Sequence, residues 1–473
     1  MMKRPWVLLL LVLAGLGPAG CQTYHPQPLT AEGVDEALRA PETSALSVRA
    51  STLHHPLLPS VTIDMRDGLD PDEAAVVAVL VHPMLRAVRD ERGLADAQLL
   101  QAGLLPNPQL SATVEPVTGG ATAGTFTGYG YGATWDLSAL IARRAKVDSA
   151  RANRSGVELD VAWQEWQVAQ AARLAVYSLI GLQEQADLSR QMRDRLADNL
   201  ALVGKAEQAG LMTGLDLSAA ETASNQAQAD WIDLQDQVRQ QSLALNRALG
   251  LPPGTPISLQ QGTVLPSRLD LPPEQDVLFG LEERRLDLVA LRKGYESQEA
   301  AVRVAVLEQF PKINLGVSQA RDTSDVITLP FAVSVDLPVF DRNQATIARE
   351  RATRQRLYDE YIRRVFEARS EIAKLLANAA GIEAQLCVAE AAVPSLERLV
   401  DTYRKALDQG QADVLVYYTA WNDLTTKRSK IVTLKQQLAE TRIALEIAAG
   451  VYELRSLGHT PAAVQPGQDE VKP

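Results

Sequence analysis

The chain has 473 residues, a formal net charge of −11 and an aromatic content of only 5%. This acidity argues against a nucleic-acid partner, because nucleic acids select basic surfaces. Few aromatic residues, with plentiful alanine, leucine and glutamine, favour long helices packed through small side chains over a compact enzyme core. The two cysteines, Cys21 and Cys387, are too far apart in sequence to predict a disulfide framework or a metal site. We expect Cys387 to pack within a helix.

The N-terminus has the pattern of a secretion signal. Lys3 and Arg4 precede an apolar run, Trp6 to Leu16, that is too short to span a bilayer. The sequence then reads Gly17-Pro18-Ala19-Gly20-Cys21, and small residues before a cysteine resemble the bacterial lipoprotein cleavage box. We predict a signal peptide over 1–20 and a lipid anchor on Cys21. The alternative is ordinary cleavage beside an incidental cysteine, since proline stands where leucine or a similar residue is usual.

Residues 21–70 are predicted to form an extended, lipidated arm, because they are rich in proline and lack periodicity. Gln22 follows the cysteine, in place of the aspartate that retains lipoproteins in the inner membrane. His25, His54 and His55 lie in this arm. An adjacent histidine pair is weak support for a metal ligand set, so we predict no metal site and expect a solvated loop.

Two pairs of segments alternate apolar and polar residues with a period of two, which is typical of strands with one apolar face. The first pair covers about 109–117 and 127–137, and the second about 312–320 and 327–337. Each pair flanks a polar or glycine-rich loop and is predicted to be a hairpin. In the last segment the apolar face would carry Ile327, Leu329, Phe331, Val333, Val335 and Leu337.

These strands are long enough to cross a bilayer when tilted. Four strands cannot close a barrel, and open edges are not tolerated in lipid, so transmembrane strands would have to close between chains. The alternative is two solvent-facing hairpins on a soluble helical protein. Aromatic residues on one face of the second strand, together with the leader, favour the membrane interpretation.

The rest of the chain is predicted to be helical and duplicated. Predicted helices cover 71–103 (with Asp70 as N-cap), 138–208, about 215–249, about 282–310, 343–407 and 414–449. Asp136 matches Asp336, Gly210 matches Gly410 and Gly250 matches Gly450, each pair 200 positions apart. We therefore predict one repeat over 71–250, a connector over 251–273, a second repeat over 274–454 and a disordered tail over 455–473.

Several short motifs occur in a specific order along the chain: Leu104-Leu105-Pro106-Asn107-Pro108, Gly210-Leu211 with Asp216-Leu217, Leu249-Gly250-Leu251-Pro252 and Leu337-Pro338-Val339-Phe340-Asp341. Their order and spacing over 74–454 resemble the TolC-like outer-membrane efflux protein family. The sequence departs from the family pattern where Trp135-Asp136-Leu137 lacks a following proline and where Leu286 precedes Asp287.

The resemblance implies a mainly helical protomer with transmembrane β-structure. Three copies would close a twelve-stranded β-barrel in the outer membrane, continuous with a periplasmic α-helical barrel. The partners would be a periplasmic adaptor, an inner-membrane pump of the proton-driven RND type, and outer-membrane lipid. The chain would be a passive conduit without a cofactor and without enzymatic activity.

Two points of function stay open at the level of the sequence. The segment from His82-Pro83 to Pro108 is most similar to the cobalt–zinc–cadmium branch of the family, which would make heavy-metal cations the cargo. The alternative within the family is multidrug or other small-molecule export. An alternative of another class is a periplasmic coiled-coil adaptor or scaffold that has no pore.

The resemblance also assigns roles to the turns and to one helix. Adaptor docking would fall to the two helical turns, at Gly210, Leu211, Met212, Thr213, Gly410, Gln411, Ala412 and Asp413. The alternative is that these residues only reverse the chain, with Asp216 and Asp413 as helix caps.

Gate candidates on the second long helix are Glu397, Asp401 and Arg404, which lie three or four residues apart on one face. Three copies of an acidic side chain around an axis would repel one another and attract cations. A solvated outer face is the alternative for each of the three.

Overall fold

The computed structural model describes residues 23–53, 55, 57–58, 61–63, 67–120, 122–409, 411 and 414–451. The chain divides into two compact units, one ending at Ala40 and the other beginning at Pro41. The first unit contains helix α1 (Ala31–Ala37), which is capped by the Thr30 side chain and has no buried residue.

The second unit contains the long helices and the strands. Its described helices are α2 (Thr43–Ser51), α3 (Pro71–Val81), α4 (Pro83–Gly103), α5 (Ser138–Gln208), α6 (Gly214–Leu249), α7 (Glu274–Leu278), α8 (Leu281–Arg284), α9 (Leu286–Leu307), α10 (Gln344–Asp408) and α11 (Val414–Ala449). Its described strands are β1 (Gln109–Glu115), β2 (Gly128–Asp136), β3 (Lys312–Arg321), β4 (Ile327–Thr328) and β5 (Phe331–Asp336). Two hairpins, each leading into a helix of more than sixty residues, confirm the predicted class of protomer fold.

The predicted helix over 71–103 begins as expected and breaks in the middle. Asp70 caps α3: its Oδ1 accepts from the Glu73 N–H at 2.7 Å, and Glu73 Oε2 accepts from the Asp70 N–H at 3.1 Å. His82 then leaves the helical conformation, with φ −56° and ψ 122°. The reason is Pro83, whose ring disfavours the helical conformation in the residue before it.

The same break recurs in the second repeat without a proline. The predicted helix over 282–310 is divided at Arg285, with φ −75° and ψ 112°, into α8 and α9. In both repeats a left-handed glycine packs on the break. A Cβ on Gly250 would lie 2.5 Å from His82 Cα, and one on Gly450 would lie 2.9 Å from Arg285 Cα. The duplication therefore extends to tertiary packing.

The two hairpins form one antiparallel sheet. β2 pairs with both β1 and β3, so the first hairpin is joined to the second through β2 and β3. The predicted fourth strand is divided into β4 and β5 because Pro330 has no N–H for the ladder, although its carbonyl still accepts from Ser318 N–H at 3.1 Å. Within the described sheet, β1 at one side and β4 with β5 at the other have a free edge.

The helices lie side by side in two successive layers. Near the turns, α5 packs on α6 and α11, and α11 packs on α10, which gives the order α6–α5–α11–α10. Near the sheet, α5 packs on α4 and α9, and α9 packs on α10, which gives the order α4–α5–α9–α10. Helix α10 therefore forms one edge of both layers.

Among the described helices, α10 alone contains an apolar stretch that meets a length and composition criterion for a membrane span. One-third of that stretch, 33%, is buried inside the protein. Core helices also meet this criterion, and α10 packs along α11 through Ile372, Leu386, Leu438 and Leu445.

Candidate conduit wall, turns and buried ion clusters

One face of the sheet is apolar and exposed. Directly paired residues of an antiparallel sheet share a face, and the register pairs Val114 with Tyr129 and Ala133 with Val317. The apolar residues of this face are Leu110, Ala112, Val114, Tyr129, Tyr131, Ala133, Trp135, Ile313, Leu315, Val317, Phe331, Val333 and Val335, and Gln319 and Arg321 lie on the same face at the end next to the hairpin loops. Phe331 is 79% exposed. A continuous apolar surface of this extent suits lipid better than water.

The opposite face is small and polar. It carries Gly130, Gly132 and Gly316 among serine and threonine side chains. A Cβ on Gly130 would lie 2.8 Å from Thr113 Oγ1, and one on Gly132 would lie 2.9 Å from Ser318 Cβ. Glycine therefore lets neighbouring polar side chains occupy this face, which is suited to a water-filled interior.

The first turn is a regular helix stop. Gly210 is left-handed, with φ 72°. The Leu211 N–H donates to Ala206 O at 2.8 Å, and the Gly210 N–H donates to Glu207 O at 2.8 Å. These two backbone hydrogen bonds end α5 and satisfy carbonyl groups in its last turn. The Leu211 side chain, 80% exposed, projects from the turn.

Helix α6 begins with a capping box. Thr213 Oγ1 accepts from the Asp216 N–H at 3.3 Å, and Asp216 Oδ2 accepts from the Thr213 N–H at 2.8 Å. Hydrogen bonds from the Thr213 side chain and backbone lower the pKa of Asp216. The predicted cap at Asp216 is thus the second half of a pair whose N-cap is Thr213. Leu215, 80% exposed, adds to the apolar surface of the turn.

The second turn is described in part. Gly410, Ala412 and Asp413 lie outside the described residues. The Gln411 N–H donates to Ala406 O at 2.8 Å, which repeats the bond from Leu211 to Ala206 two hundred positions earlier. The two turns therefore share a backbone bond as well as a sequence pattern.

The predicted gate residues belong to two separate groups of ion pairs, one around Asp401 and one around Glu397. Asp401 accepts from Arg404 Nη2 at 3.0 Å and lies 2.7 Å from Lys405 Nζ, both on its own helix. The hydrogen bond from Lys405 is the largest influence that lowers the pKa of Asp401. Glu397 instead accepts from Arg428 Nη2 on α11 at 2.7 Å. Arg428 lies 31 positions from Glu397 and carries no local sequence signal of this role.

His55 does not lie in a solvated loop, so that expectation was wrong. Its side chain is 7% exposed, and Nε2 lies 3.1 Å from Glu165 Oε2. Its Nδ1 accepts from the N–H groups of Leu57 and Leu58, at 3.1 and 3.2 Å. Nε2 therefore carries the ring proton and donates a hydrogen bond to Glu165 Oε2. The partner is 110 positions away, which is why the local sequence did not indicate it. His54 lies outside the described residues.

Glu165 is a buried carboxylate held by cations. Arg89 Nε lies 2.6 Å and Arg92 Nη2 lies 3.6 Å from its oxygens, and the Glu165 side chain is 5% exposed. Burial is the largest single influence and opposes ionisation. Hydrogen bonds from His55 and Arg89, with the charge of Arg89, outweigh it and lower the pKa of Glu165.

A second buried carboxylate joins the two repeats. Glu446 on α11 is 0% exposed, and its Oε2 accepts from Arg173 Nη1 at 2.5 Å and from Gln170 Nε2 at 3.2 Å, both on α5. Arg442 Nε donates to its other oxygen at 3.1 Å. Removing either partner of such a pair leaves a buried charge without compensation, so this cluster fixes α5 against α11.

The described residues contain no group of three or more histidine, cysteine or acidic side chains placed to hold a metal ion. Cys387 is exposed on α10, so the expectation that it packs inside was wrong: the buried face of this helix is formed by its neighbours Leu386 and Ala389. Cys21 lies outside the described residues, and its lipidation stays a prediction.

Comparison with known proteins agrees with this architecture. The family model described as outer membrane efflux protein matches residues 77–251 and 280–451. The cobalt-zinc-cadmium resistance protein CzcC of Cupriavidus metallidurans is 22% identical over 283 residues, which is 59% of this chain and 65% of the relative's length.

Solved structures share the fold. The outer-membrane channel OprN matches with a TM-score of 0.70 at 16% identity, over 91% of this chain and 98% of its own. The outer membrane protein VceC from Vibrio cholerae matches with a TM-score of 0.67 at 19% identity, over 81% and 97%. These matches confirm the resemblance drawn from the sequence. The chain belongs to the outer membrane efflux protein family.

Proposed function

We propose that this protein is the outer-membrane channel of a tripartite efflux system. Three copies would close a twelve-stranded barrel whose apolar face contacts lipid, and the long helices would form a tunnel into the periplasm. The observation that carries the proposal is the sheet of two hairpins, β1 to β5, with one exposed apolar face and two free edges. Such a sheet is tolerated in a bilayer only when its edges are paired. The protein would be a conduit and not an enzyme.

The partners that we propose are those that the family resemblance implies. A periplasmic adaptor would dock on the exposed leucines of the helical turns, at Leu211 and Leu215, with the second turn contributing Gln411 and its neighbours. An inner-membrane pump, of the proton-driven RND type, would supply the cargo. The lipid on Cys21 would hold the mature chain at the membrane. Glu397, Asp401 and Arg404 would act at the gate, now with Arg428 as the partner of Glu397.

Heavy-metal cations are the cargo that we favour. The support is the similarity to a protein named for cobalt, zinc and cadmium resistance. Multidrug export is the second candidate, since the solved channels of the same fold have identities below 25% and support the fold alone.

The test is deletion of the gene in its host. We expect tolerance to zinc, cobalt or cadmium to fall and to return when the gene is restored. Unchanged metal tolerance with reduced dye export would overturn the metal assignment and favour the drug duct.

A monomeric protein that binds an adaptor but conducts no ions would favour the scaffold.

A further inference from the structure

The polar face of the sheet carries its formal charges only near its two ends. Within the described sheet these charges belong to Glu115, Asp136, Lys312 and Asp336. The wall between them is uncharged and is formed mostly by glycine, serine and threonine. Because the fixed charges of a pore wall influence which ions pass, these four side chains dominate the electrostatics of this face.

Three of the four charges lie at the end of the sheet that leads into the helices. Lys312 is the first residue of β3, and its direct partner in the register is Asp336, the last residue of β5. Asp136 ends β2 and pairs with Asn314, which is next to Lys312 on the same face. Lys312 and Asp336 are exposed. The three charged side chains therefore form one group across β2, β3 and β5, which we call the junction group.

The duplication preserves the acidic members of the junction group and changes the basic one. Asp136 and Asp336 occupy the same position in the two repeats, 200 residues apart. Lys312 opens β3, and the corresponding first residue of β1 is Gln109. Each copy thus contributes two aspartates and one lysine, so three copies around an axis would carry a net charge of −3 at this level.

The fourth charge lies at the opposite end of the sheet, next to the hairpin loops. Glu115 ends β1, is exposed and faces Gly128 in the register. Three copies would place an acidic ring at the outer mouth of the barrel. Both charged levels of the polar face are therefore net acidic, and the wall between them is neutral.

We propose that the junction group is an ion-selectivity filter that makes the barrel conduct cations in preference to anions. This inference rests on the proposed trimeric conduit and names the residues that set its selectivity. A net acidic wall attracts cations and repels anions over a distance of about 10 Å at 0.1 M salt. Lys312 opposes the aspartates and limits the preference, so its removal should increase it. Hydrated metal cations and organic cations would both be favoured.

Asp136 also has a structural role that makes it unsuitable for a test. Its Oδ1 accepts from the Ser138 N–H at 2.8 Å and also from the Ser138 hydroxyl, at the start of α5. Substitution of Asp136 would disturb this first turn. The exposed pair Lys312 and Asp336 can be changed without that cost.

The ratio of K⁺ to Cl⁻ permeability tests the filter. It is measured from the reversal potential of the purified full-length protein in a planar bilayer under a KCl gradient, and we expect a ratio above one for the wild type. Asp336→Asn cancels the net charge of the ring, and the ratio should fall about twofold. Lys312→Gln makes the net charge −6, and the ratio should rise about twofold. The two substitutions together restore −3 and should restore the wild-type ratio.

Arg321→Gln is the matched control. It also changes one charge per copy, but Arg321 lies on the opposite face of the sheet, paired with Tyr129, so the ratio should equal that of the wild type. Gln109→Lys covers the case in which a substitution in the junction group prevents assembly. Gln109 is exposed on the polar face, and a lysine there should lower the ratio as Asp336→Asn does.

A conducting trimer with the same ratio in every variant would overturn the filter and leave the conduit intact. Shifts of the same sign for Asp336→Asn and Lys312→Gln would do the same. So would effects that do not weaken between about 0.1 M and about 1 M KCl, since the screening length falls from about 10 Å to about 3 Å. A wild-type protein that forms no trimer and conducts no ions would overturn both the filter and the conduit.

Discussion

At the residue scale, the ion clusters between distant parts of the chain are the features that could not be predicted from the sequence. The contact between His55 and Glu165 spans 110 positions, and the contact between Arg173 and Glu446 spans 273. Periodicity describes which face of a segment is buried, but it carries no information about a partner in another segment. A histidine in an irregular arm and a glutamate in a long helix therefore had no visible connection.

Glu165 gives a prediction with a definite pH dependence. Glu165→Gln is expected to lower the free energy of unfolding by about 2 kcal/mol at pH 7, because Arg89 and Arg92 lose a buried counter-charge. The pKa of Glu165 is lowered in the folded protein. Its contribution is therefore complete above the ordinary carboxyl value of 4.5 and is lost as pH falls through the lower folded pKa.

Thermal unfolding followed by circular dichroism between pH 3 and pH 8 measures this. Glu158→Gln is the matched control: it lies on the same helix, is 48% exposed and pairs with Arg154 at 3.3 Å, so its effect should be small at every pH. A difference between wild type and Glu165→Gln that stays constant down to pH 3 would contradict the assigned role.

Gly250 tests the packing of one repeat. Gly250→Ala is expected to destabilise the protein by more than about 1 kcal/mol, since the residue has φ 73° and a Cβ there would lie 2.5 Å from His82 Cα. Gly254→Ala is the control, because nothing lies within 4 Å of its Cβ position and its φ is not in the left-handed range. Equal melting temperatures for the two variants would show that the close approach is not needed.

At the element scale, the hairpins and the two long helices could be predicted because their signals are local. Period-two alternation and glycine at Gly210 are visible in a short window of sequence. Two predicted helices were interrupted, at His82 and at Arg285, and only the first of these breaks has a proline beside it. At the second break Arg285 is in close contact with Gly450, which comes from the far end of the repeat.

The first turn carries a prediction about docking. Leu211→Asp with Leu215→Asp is expected to abolish export, because two leucines that are each 80% exposed would be lost from the surface proposed for the adaptor. The trimer and its ion conductance should not change, since neither side chain packs in the protein. The measurements are resistance in cells, adaptor pull-down and bilayer conductance. Full resistance in the double variant would remove the turn from the docking surface.

At the scale of the whole molecule, the repeats, the sheet edges and the helix edges describe one arrangement. The first repeat supplies one free edge, with β1, α4 and α6, and the second supplies the other, with β5 and α10. Because the two edges differ, copies of the chain join head to tail. Such contacts close into a ring when the rotation from one copy to the next brings the last copy back to the first. Closure also covers the exposed strand edges, which a single chain leaves open.

The most direct test of this account is the conductance of the purified protein in a planar lipid bilayer, with its mass measured in the same detergent. The account predicts a heat-modifiable trimer that inserts and conducts ions in discrete steps. A water-soluble monomer that leaves the bilayer conductance unchanged would contradict it, since the apolar face of the sheet would then have no lipid to contact.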